Sequence, residues 1–290
     1  MATNTPFGQR LGLVLEGGAM RGIYTAGVLD VFLEAGIMPD VVVGVSAGAL
    51  HGCSYVAGQK GRSIRYYRKY RNDKHFMGLY SLLTTGDVVG TKFCYEDIPL
   101  RLDPFDEAAF EKAPVDFYVT VTNVRTGKPE YILCDELKVG SKMDVIRAGA
   151  SMPLCSKMVE WNGNLYLDGG VSDSIPYAKM KDFGCRKSIV VLTQPAGYLK
   201  QPAAMAPFEA MYRKYPAFVE AMRGRDQMYN TEVCAVEQAA KQGDVFLIRP
   251  SKLLHVGRIE HDIEVLNAQY ELGRQDARNQ MDAMREWMER

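Results

Sequence analysis

Several signals that would assign a function directly are missing from this chain of 290 residues. Its six cysteines form no Cys-x-x-Cys pair and have no paired histidines nearby, which favours reduced thiols over disulfides or a zinc site. Its 35 basic and 35 acidic residues cancel, so no net charge points to nucleic acid. Residues 1–10 are polar and contain no signal-peptide core. We expect a cytoplasmic protein that binds no nucleic acid.

A membrane-spanning segment is also missing. Residues 41–58 carry no charged side chain and have the length of a span, but they include four glycines, two serines and His51. They divide instead into a strand, a turn and a helix. Strand and helix signals continue without a low-complexity linker, so we predict a polar tail at 1–10, one main domain at 11–250 and a helical extension at 251–290 packed on it. A role of that extension in binding a partner or a lipid surface stays open.

The most informative stretch is residues 41–48, Val-Val-Val-Gly-Val-Ser-Ala-Gly. A β-branched run that breaks at small residues predicts a buried strand turning sharply into a helix. Gly44 and Gly48 flank Ser46 where a Cβ would collide with the returning chain. This Gly-x-Ser-x-Gly pattern is typical of a nucleophile elbow, which presents the serine at a helix N-terminus. In a chain with 27 glycines the pattern alone also arises by chance.

A glycine loop at residues 17–22, Gly-Gly-Ala-Met-Arg-Gly, follows an apolar strand at 11–16 and opens a helix. Together with the elbow it predicts a βαβα unit with two parallel strands. A nucleotide-phosphate cradle fits poorly, because Ala19 stands where the dinucleotide pattern needs glycine and no Gly-Lys-Ser/Thr follows.

The alternative is an oxyanion hole made of backbone N–H groups. Gly17 and Gly18 can take positive φ and let an ester carbonyl approach, and we expect Gly18 and Ala19 to be the donors. The loop is completed by Met20, Arg21 and Gly22. Arg21 is a candidate for holding the loop or meeting a phosphate head group, or is a solvated residue at a helix start.

A nucleophilic serine needs a proton acceptor. The chain has four histidines, and none lies where a strand end and an orienting carboxylate are expected; His51 should point away from Ser46. Asp168 is the better candidate, since it ends an alternating strand and precedes Gly169 and Gly170. A carboxylate buried against apolar residues can act as general base. A plain Asp-Gly-Gly turn remains the alternative.

Other segments predict the surroundings of the site. Residues 60–74 form a basic helix with tyrosines, either a solvated face or a lipid-surface contact, and residues 76–90 an entrance segment near the pocket. The methionine-rich and aromatic segment at 205–229 suits an acyl-chain pocket or an ordinary core. Further strands are expected at 116–123, 130–134, 164–168, 187–194 and 244–249, and further helices at 144–151, at 208–241 with a break near Gly224, and at 258–290.

These three motifs, in this order and spacing, resemble those of the patatin-like phospholipases, and the resemblance covers residues 11–250. It implies a three-layer α/β/α fold with a mostly parallel central sheet and a Ser-Asp dyad. By motif position Ser46 is the nucleophile, Asp168 the base and residues 17–22 the oxyanion hole. Ala19 replaces a glycine frequent in the family; because alanine resists positive φ, a slightly reshaped hole is expected.

The sequence therefore predicts a lipid acyl-ester hydrolase that needs no metal or cofactor, since its carboxylates show no metal-cage spacing. The expected partner is a lipid or other acyl-ester substrate, with peripheral membrane contact and oligomeric state left open. Two alternatives remain: a transacylase or thioesterase using the same dyad, and a non-catalytic lipid- or nucleotide-binding protein.

Overall fold

The computed structural model describes residues 6–257 and 259–290; half of the predicted tail, residues 1–5, and Arg258 lie outside the described residues. Within these ranges eight strands form one sheet, in the order β5-β6-β3-β2-β1-β7-β8, and β4 pairs with β3. The strands are β1 (Arg10–Leu15), β2 (Val41–Val45), β3 (Asp116–Asn123), β4 (Pro129–Leu133), β5 (Val159–Trp161), β6 (Asn164–Asp168), β7 (Cys185–Val191) and β8 (Val245–Ile248).

The centre of the sheet is parallel. β1 pairs in parallel with β2 and β7, β2 with β3, and β7 with β8. β4 and β6 pair antiparallel with β3, and β5 pairs antiparallel with β6. The carboxyl ends of β1, β2, β3 and β7 therefore share one edge, while β6 arrives from the opposite direction.

Helices cover both faces of the sheet. They are α1 (Ile23–Glu34), α2 (Ala47–Val56), α3 (Arg62–Tyr70), α4 (Leu79–Thr85), α5 (Glu107–Lys112), α6 (Met143–Gly149), α7 (Ala206–Met211), α8 (Pro216–Arg223), α9 (Arg225–Gln242), α10 (Ile263–Asn279) and α11 (Met281–Glu289). Leu13 and Leu15 of β1 pack with α1 and α2, while Val14 packs with α9 on the other face. This period-two alternation fixes the layers, and it confirms the predicted fold of a mostly parallel sheet flanked by helices.

Helices α1 and α10 cross at unusually short distance. A Cβ on Gly27 would lie 2.1 Å from the carbonyl oxygen of Tyr270, and one on Gly273 would lie 2.1 Å from that of Tyr24. The Tyr24 hydroxyl donates to Asp276 at 3.1 Å, and the Tyr270 hydroxyl donates to Asp30. Helix α10 is thus packed backbone to backbone on α1, the helix that follows the glycine loop.

Some boundaries differ from the sequence expectations. The helical segment expected at 258–290 consists of α10 and α11, which meet at Gln280. The helix expected at 208–241 is three helices, with the predicted break at Gly224. Strand β5, helix α5 and a π-helical segment, Phe93–Leu102, were not predicted from the sequence, although Asp106 caps the start of α5. Within the described ranges, no helix combines the length and apolar character needed to cross a bilayer.

Candidate active site

Ser46 lies on a tight turn between β2 and α2. Its backbone has φ 52° and ψ −121°, a strained conformation that is typical of functional turns. A Cβ on Gly44 would lie 2.5 Å from the Cα of Ala49, and one on Gly48 would lie 2.3 Å from the carbonyl oxygen of Leu15. Both positions therefore exclude any side chain, because the chain returns directly against its own strand and against β1.

The glycine loop lies beside this turn. A Cβ on Gly17 would lie 2.9 Å from the Cβ of Ser46, and one on Gly18 would lie 2.7 Å from the hydroxyl of Thr193. Gly17 and Gly18 do not take positive φ; Ala19 takes it instead, at φ 48°. The glycines serve close approach, and the alanine carries the backbone strain.

The rest of the loop faces the helices. Met20 is buried with Ile23, and a Cβ on Gly22 would lie 2.6 Å from that of Ala47. Arg21 is half-buried, and its carbonyl oxygen accepts a hydrogen bond from the Gln269 side chain at 3.3 Å. Helix α10 therefore contacts the loop directly.

Asp168 reaches the elbow from the antiparallel side of the sheet. It ends β6 opposite Val121, and its carbonyl oxygen accepts a hydrogen bond from the Thr122 hydroxyl at 2.8 Å. A Cβ on Gly169 would lie 2.2 Å from the carbonyl oxygen of Thr120, so glycine is required there. The Gly170 N–H donates to Asp168 Oδ1 at 2.8 Å and fixes the carboxylate.

The structure brings Ser46 and Asp168 together although 122 positions separate them. Ser46 Oγ donates to Asp168 Oδ2 at 2.6 Å, and the two residues are 7% and 6% exposed. Burial raises the pKa of Asp168, while the hydrogen bond from Ser46 and the charges of Arg225 and Lys200 partly oppose that rise. The arrangement is a hydroxyl paired with a buried carboxylate of increased proton affinity, which suits proton transfer.

The histidines take no part in this pair. His51 is buried, and burial lowers its pKa to about 4. Neither of its ring nitrogens has a hydrogen-bond partner among the described residues. His75 contacts Asp73 on the surface, with its Nδ1 at 2.8 Å from the carboxylate.

Glu16, the residue before the glycine loop, was not singled out from the sequence. It is 2% exposed; its Oε2 accepts from the Thr193 N–H at 2.5 Å and its Oε1 from the Tyr229 hydroxyl at 3.0 Å. Burial raises the pKa of Glu16. Because Thr193 also packs on Gly18, Glu16 anchors the loop to the end of β7. The sequence signal that could have identified Glu16 is an acidic residue at the end of an apolar strand.

An apolar cavity of about 100 Å³ opens beside Ser46. Its lining comes from the glycine loop, α2, α3, the π-helical segment and α6, and includes Met20, Leu50, Tyr67, Tyr95, Ile98 and Ile146. Arg62 is the charged residue of the lining, and its guanidinium pairs with Asp103 at 3.5 Å.

Two interpretations of the surroundings can be compared with this cavity. The acyl-pocket interpretation of residues 205–229 is wrong, because Tyr212, Phe218 and Met222 form a separate core cluster with β6. Residues 76, 77 and 89 of the expected entrance segment do line the cavity. In the basic stretch 60–74, Tyr67 and Tyr70 of α3 are buried, as in a solvated helix with its rings packed inward.

Comparison with known proteins assigns the family. The patatin-like phospholipase family model matches residues 13–180, more than half of the chain, and the chain therefore belongs to this family of lipid-ester hydrolases. The resemblance drawn from the three motifs is confirmed. A second model, a domain of unknown function (DUF6363), matches residues 215–289.

Relatives are similar over different shares of their length. YjjU, an uncharacterized protein of Escherichia coli K12, is 28% identical over 273 residues, 91% of this chain and 75% of that protein. Lysophospholipases nte1 of Aspergillus terreus and NTE1 of Saccharomyces cerevisiae are both 30% identical, over 61% and 63% of this chain but only 11% of their own length. The crystal structure of VipD from Legionella pneumophila aligns with 96% of this chain and 67% of its own, at 13% identity and a TM-score of 0.48.

Proposed function

We propose that this protein hydrolyses lipid esters that carry one acyl chain, with Ser46 as nucleophile and Asp168 as general base. The observation that carries the proposal is the 2.6 Å hydrogen bond between Ser46 Oγ and the buried Asp168 carboxylate. Residues 11–250 form the catalytic domain in this proposal, and 251–290 an extension packed on it. A cytoplasmic location belongs to the proposal as well, supported by six cysteines that are all free thiols.

The reaction follows from the positions of the groups. Ser46 Oγ attacks the ester carbonyl carbon as its proton passes to Asp168 Oδ2, and the carbonyl oxygen becomes an oxyanion. N–H groups of Gly18 and Ala19 stabilise that oxyanion, which the adjacent loop is suited to do without side chains in the way. Asp168 then gives the proton to the leaving alcohol. Water, deprotonated by Asp168, attacks the acyl-enzyme; Asp168 then returns this proton to Ser46 Oγ as the fatty acid leaves.

The cavity suggests the substrate class. A narrow apolar lining next to the nucleophile suits one fatty acyl chain, since ligand pockets bury most of a ligand against apolar side chains. The fungal relatives are lysophospholipases, and a lysophospholipid is a substrate with one acyl chain. We therefore propose lysophospholipids and similar monoacyl esters as the preferred substrates.

A phosphonate probe and product analysis test this proposal. The wild-type protein should be labelled and should release fatty acid from lysophosphatidylcholine, and Ser46→Ala should do neither. Ser251→Ala removes an exposed serine hydroxyl outside the Ser46–Asp168 pair and should leave both signals intact. Labelling or turnover that survives in Ser46→Ala would contradict the mechanism. Acyl transfer to added alcohols or preferential cleavage of thioesters would instead assign a transacylase or thioesterase.

A further inference from the structure

Residues 77–89 form a small projecting loop at the cavity. Met77 and Val89 pair as an isolated antiparallel bridge, and the Gly78 N–H donates to the Val88 carbonyl oxygen at 2.8 Å. The Val88 N–H donates to the Cys155 carbonyl oxygen at 2.8 Å, which attaches the ends of this loop to the rest of the domain. The tip of this loop is α4, so the helix is held at a fixed place.

Helix α4 has an inverted pattern of burial. Its buried side chain is that of Ser81, 2% exposed, whose hydroxyl donates to the Asp87 carbonyl oxygen at 2.8 Å. Its large apolar side chains face outward: Leu79 is 69% exposed and Leu83 77%. Tyr80 and Leu82 are 42% and 38% exposed. Leaving four adjacent large apolar residues in water is unfavourable and marks an interaction surface.

This surface is continuous with the route to Ser46. Met77 and Val89, which close the loop, also line the cavity, as does Phe76. A substrate chain that leaves a lipid phase beside α4 would reach the cavity without crossing open water. Because the family acts on lipid esters, the phase that meets this surface is a lipid one.

Charge around α4 favours an anionic lipid surface. The Lys74 ammonium lies 4.7 Å from the ring centre of Tyr80, and the Lys157 side chain lies against Gly86 at the other end of the helix. No acidic residue occurs between positions 74 and 86; of the two aspartates that flank this stretch, Asp73 contacts His75 and Asp87 is buried. Apolar side chains flanked by lysines are the combination that binds at the boundary between anionic head groups and acyl chains.

We propose that α4 docks this protein on phospholipid bilayers that carry anionic head groups, with Leu79 and Leu83 inserted between lipids and Lys74 and Lys157 against the head groups. This proposal places membrane contact on residues 74–86 and 157, separate from the basic face of α3. It uses the proposed ester chemistry only to explain why a lipid surface should lie beside the cavity.

Vesicle co-sedimentation tests the docking in a Ser46→Ala background, where no substrate is consumed, so the result does not depend on the catalytic proposal. The Ser46→Ala protein, with α4 unchanged, should bind to phosphatidylcholine–phosphatidylglycerol vesicles. Leu79→Gln/Leu83→Gln should weaken it about tenfold or more, since both side chains lose favourable burial. A matched control, Met211→Gln/Leu253→Gln, changes residues that are 61% and 55% exposed elsewhere and should bind like its parent.

Two further measurements complete the test. Lys74→Gln and Lys157→Gln should each weaken binding to the anionic vesicles about fivefold and leave binding to pure phosphatidylcholine unchanged. In the active protein, Leu79→Gln/Leu83→Gln should retain turnover of a soluble short-chain ester and lose turnover of vesicle lipid. Absence of vesicle binding in the parent, or equal binding by the leucine variant, would overturn the proposal. So would a dimer, seen by light scattering, that dissociates in the leucine variant while vesicle binding persists, because α4 would then bind a second copy.

Discussion

Two walls meet at Ser46, and they are built in different ways. The wall formed by the strand ends relies on backbone contacts: Gly17, Gly48 and Gly169 each approach a neighbour more closely than a Cβ permits. The opposite wall, formed by α3, the π-helical segment and α6, relies on apolar side chains around a cavity. The first wall should therefore tolerate almost no substitution, whereas the second can be changed to alter which substrate fits.

The largest effect is expected at Asp168, the proposed general base. Asp168→Asn should lower kcat/KM about 10²–10⁴-fold, since the amide cannot accept the Ser46 proton. In the wild-type protein, activity should fall as the pH drops through the raised pKa of Asp168, because the protonated acid is no longer a base. A pH–rate profile measures this acid limb.

Asp168→Asn should lower the activity but raise the stability of the folded protein at neutral pH. Because the pKa of Asp168 is raised in the folded state, its stabilising contribution is present at low pH and is lost as the pH rises through that pKa. Asp168→Asn should therefore raise Tm at neutral pH and leave it closer to the wild-type value in acid. A lower Tm at neutral pH would contradict the conclusion that burial disfavours the charged form of Asp168.

The next effect tests the backbone wall. Gly48→Ala should lower the free energy of unfolding by about 3 kcal/mol, because its Cβ would lie 2.3 Å from the Leu15 carbonyl oxygen. Gly224→Ala is the matched control: φ is −85° and the nearest atom to its Cβ would be 3.8 Å away. Urea denaturation should show a change within about 0.5 kcal/mol for that control. Equal losses in the two variants would remove the distinction between the walls.

A specificity change tests the cavity wall. Leu50→Trp adds volume to the cavity lining and should lower kcat/KM for a palmitoyl ester about tenfold relative to a butyryl ester. Comparing the two esters controls for general damage to the site. If both rates fall equally, the acyl chain lies elsewhere.

The smallest effect concerns the glycine loop. Ala19→Gly should raise the free energy of unfolding by about 0.5–1 kcal/mol, since glycine relieves the strain at φ 48°. Ala35→Gly, at φ −89° at the half-buried end of α1, should give no such gain. Thermal unfolding of the two variants measures the difference, and equal shifts would place the strain outside residue 19.

The same contrast explains how much could be predicted from the sequence. Close backbone contacts require glycine, so Gly44, Gly48 and Gly169 left a readable pattern around Ser46 and Asp168. The central strands were predictable because they are buried on both faces and rich in β-branched residues.

The cavity wall was not predictable, since an apolar residue on a helix has the same pattern whether it faces a core or a cavity. For this reason the methionine-rich segment at 205–229 stayed open between an acyl-chain pocket and an ordinary core. Glu16 was missed because its partners, Thr193 and Tyr229, lie 177 and 213 positions away. The outward-facing leucines of α4 are apparent only once the sheet has defined which side is inside.

The position of β1 in the sheet has a consequence for dissecting the protein. The family match ends at residue 180, but β7, which pairs with one edge of β1, begins at Cys185, and α10 covers α1 from position 263 onward. A fragment trimmed to the matched region would leave the ladder amides of β1 open to other chains and bare an apolar helix to solvent. Such a fragment would aggregate rather than act as a smaller enzyme, so the limits of sequence similarity are not places to cut this polypeptide.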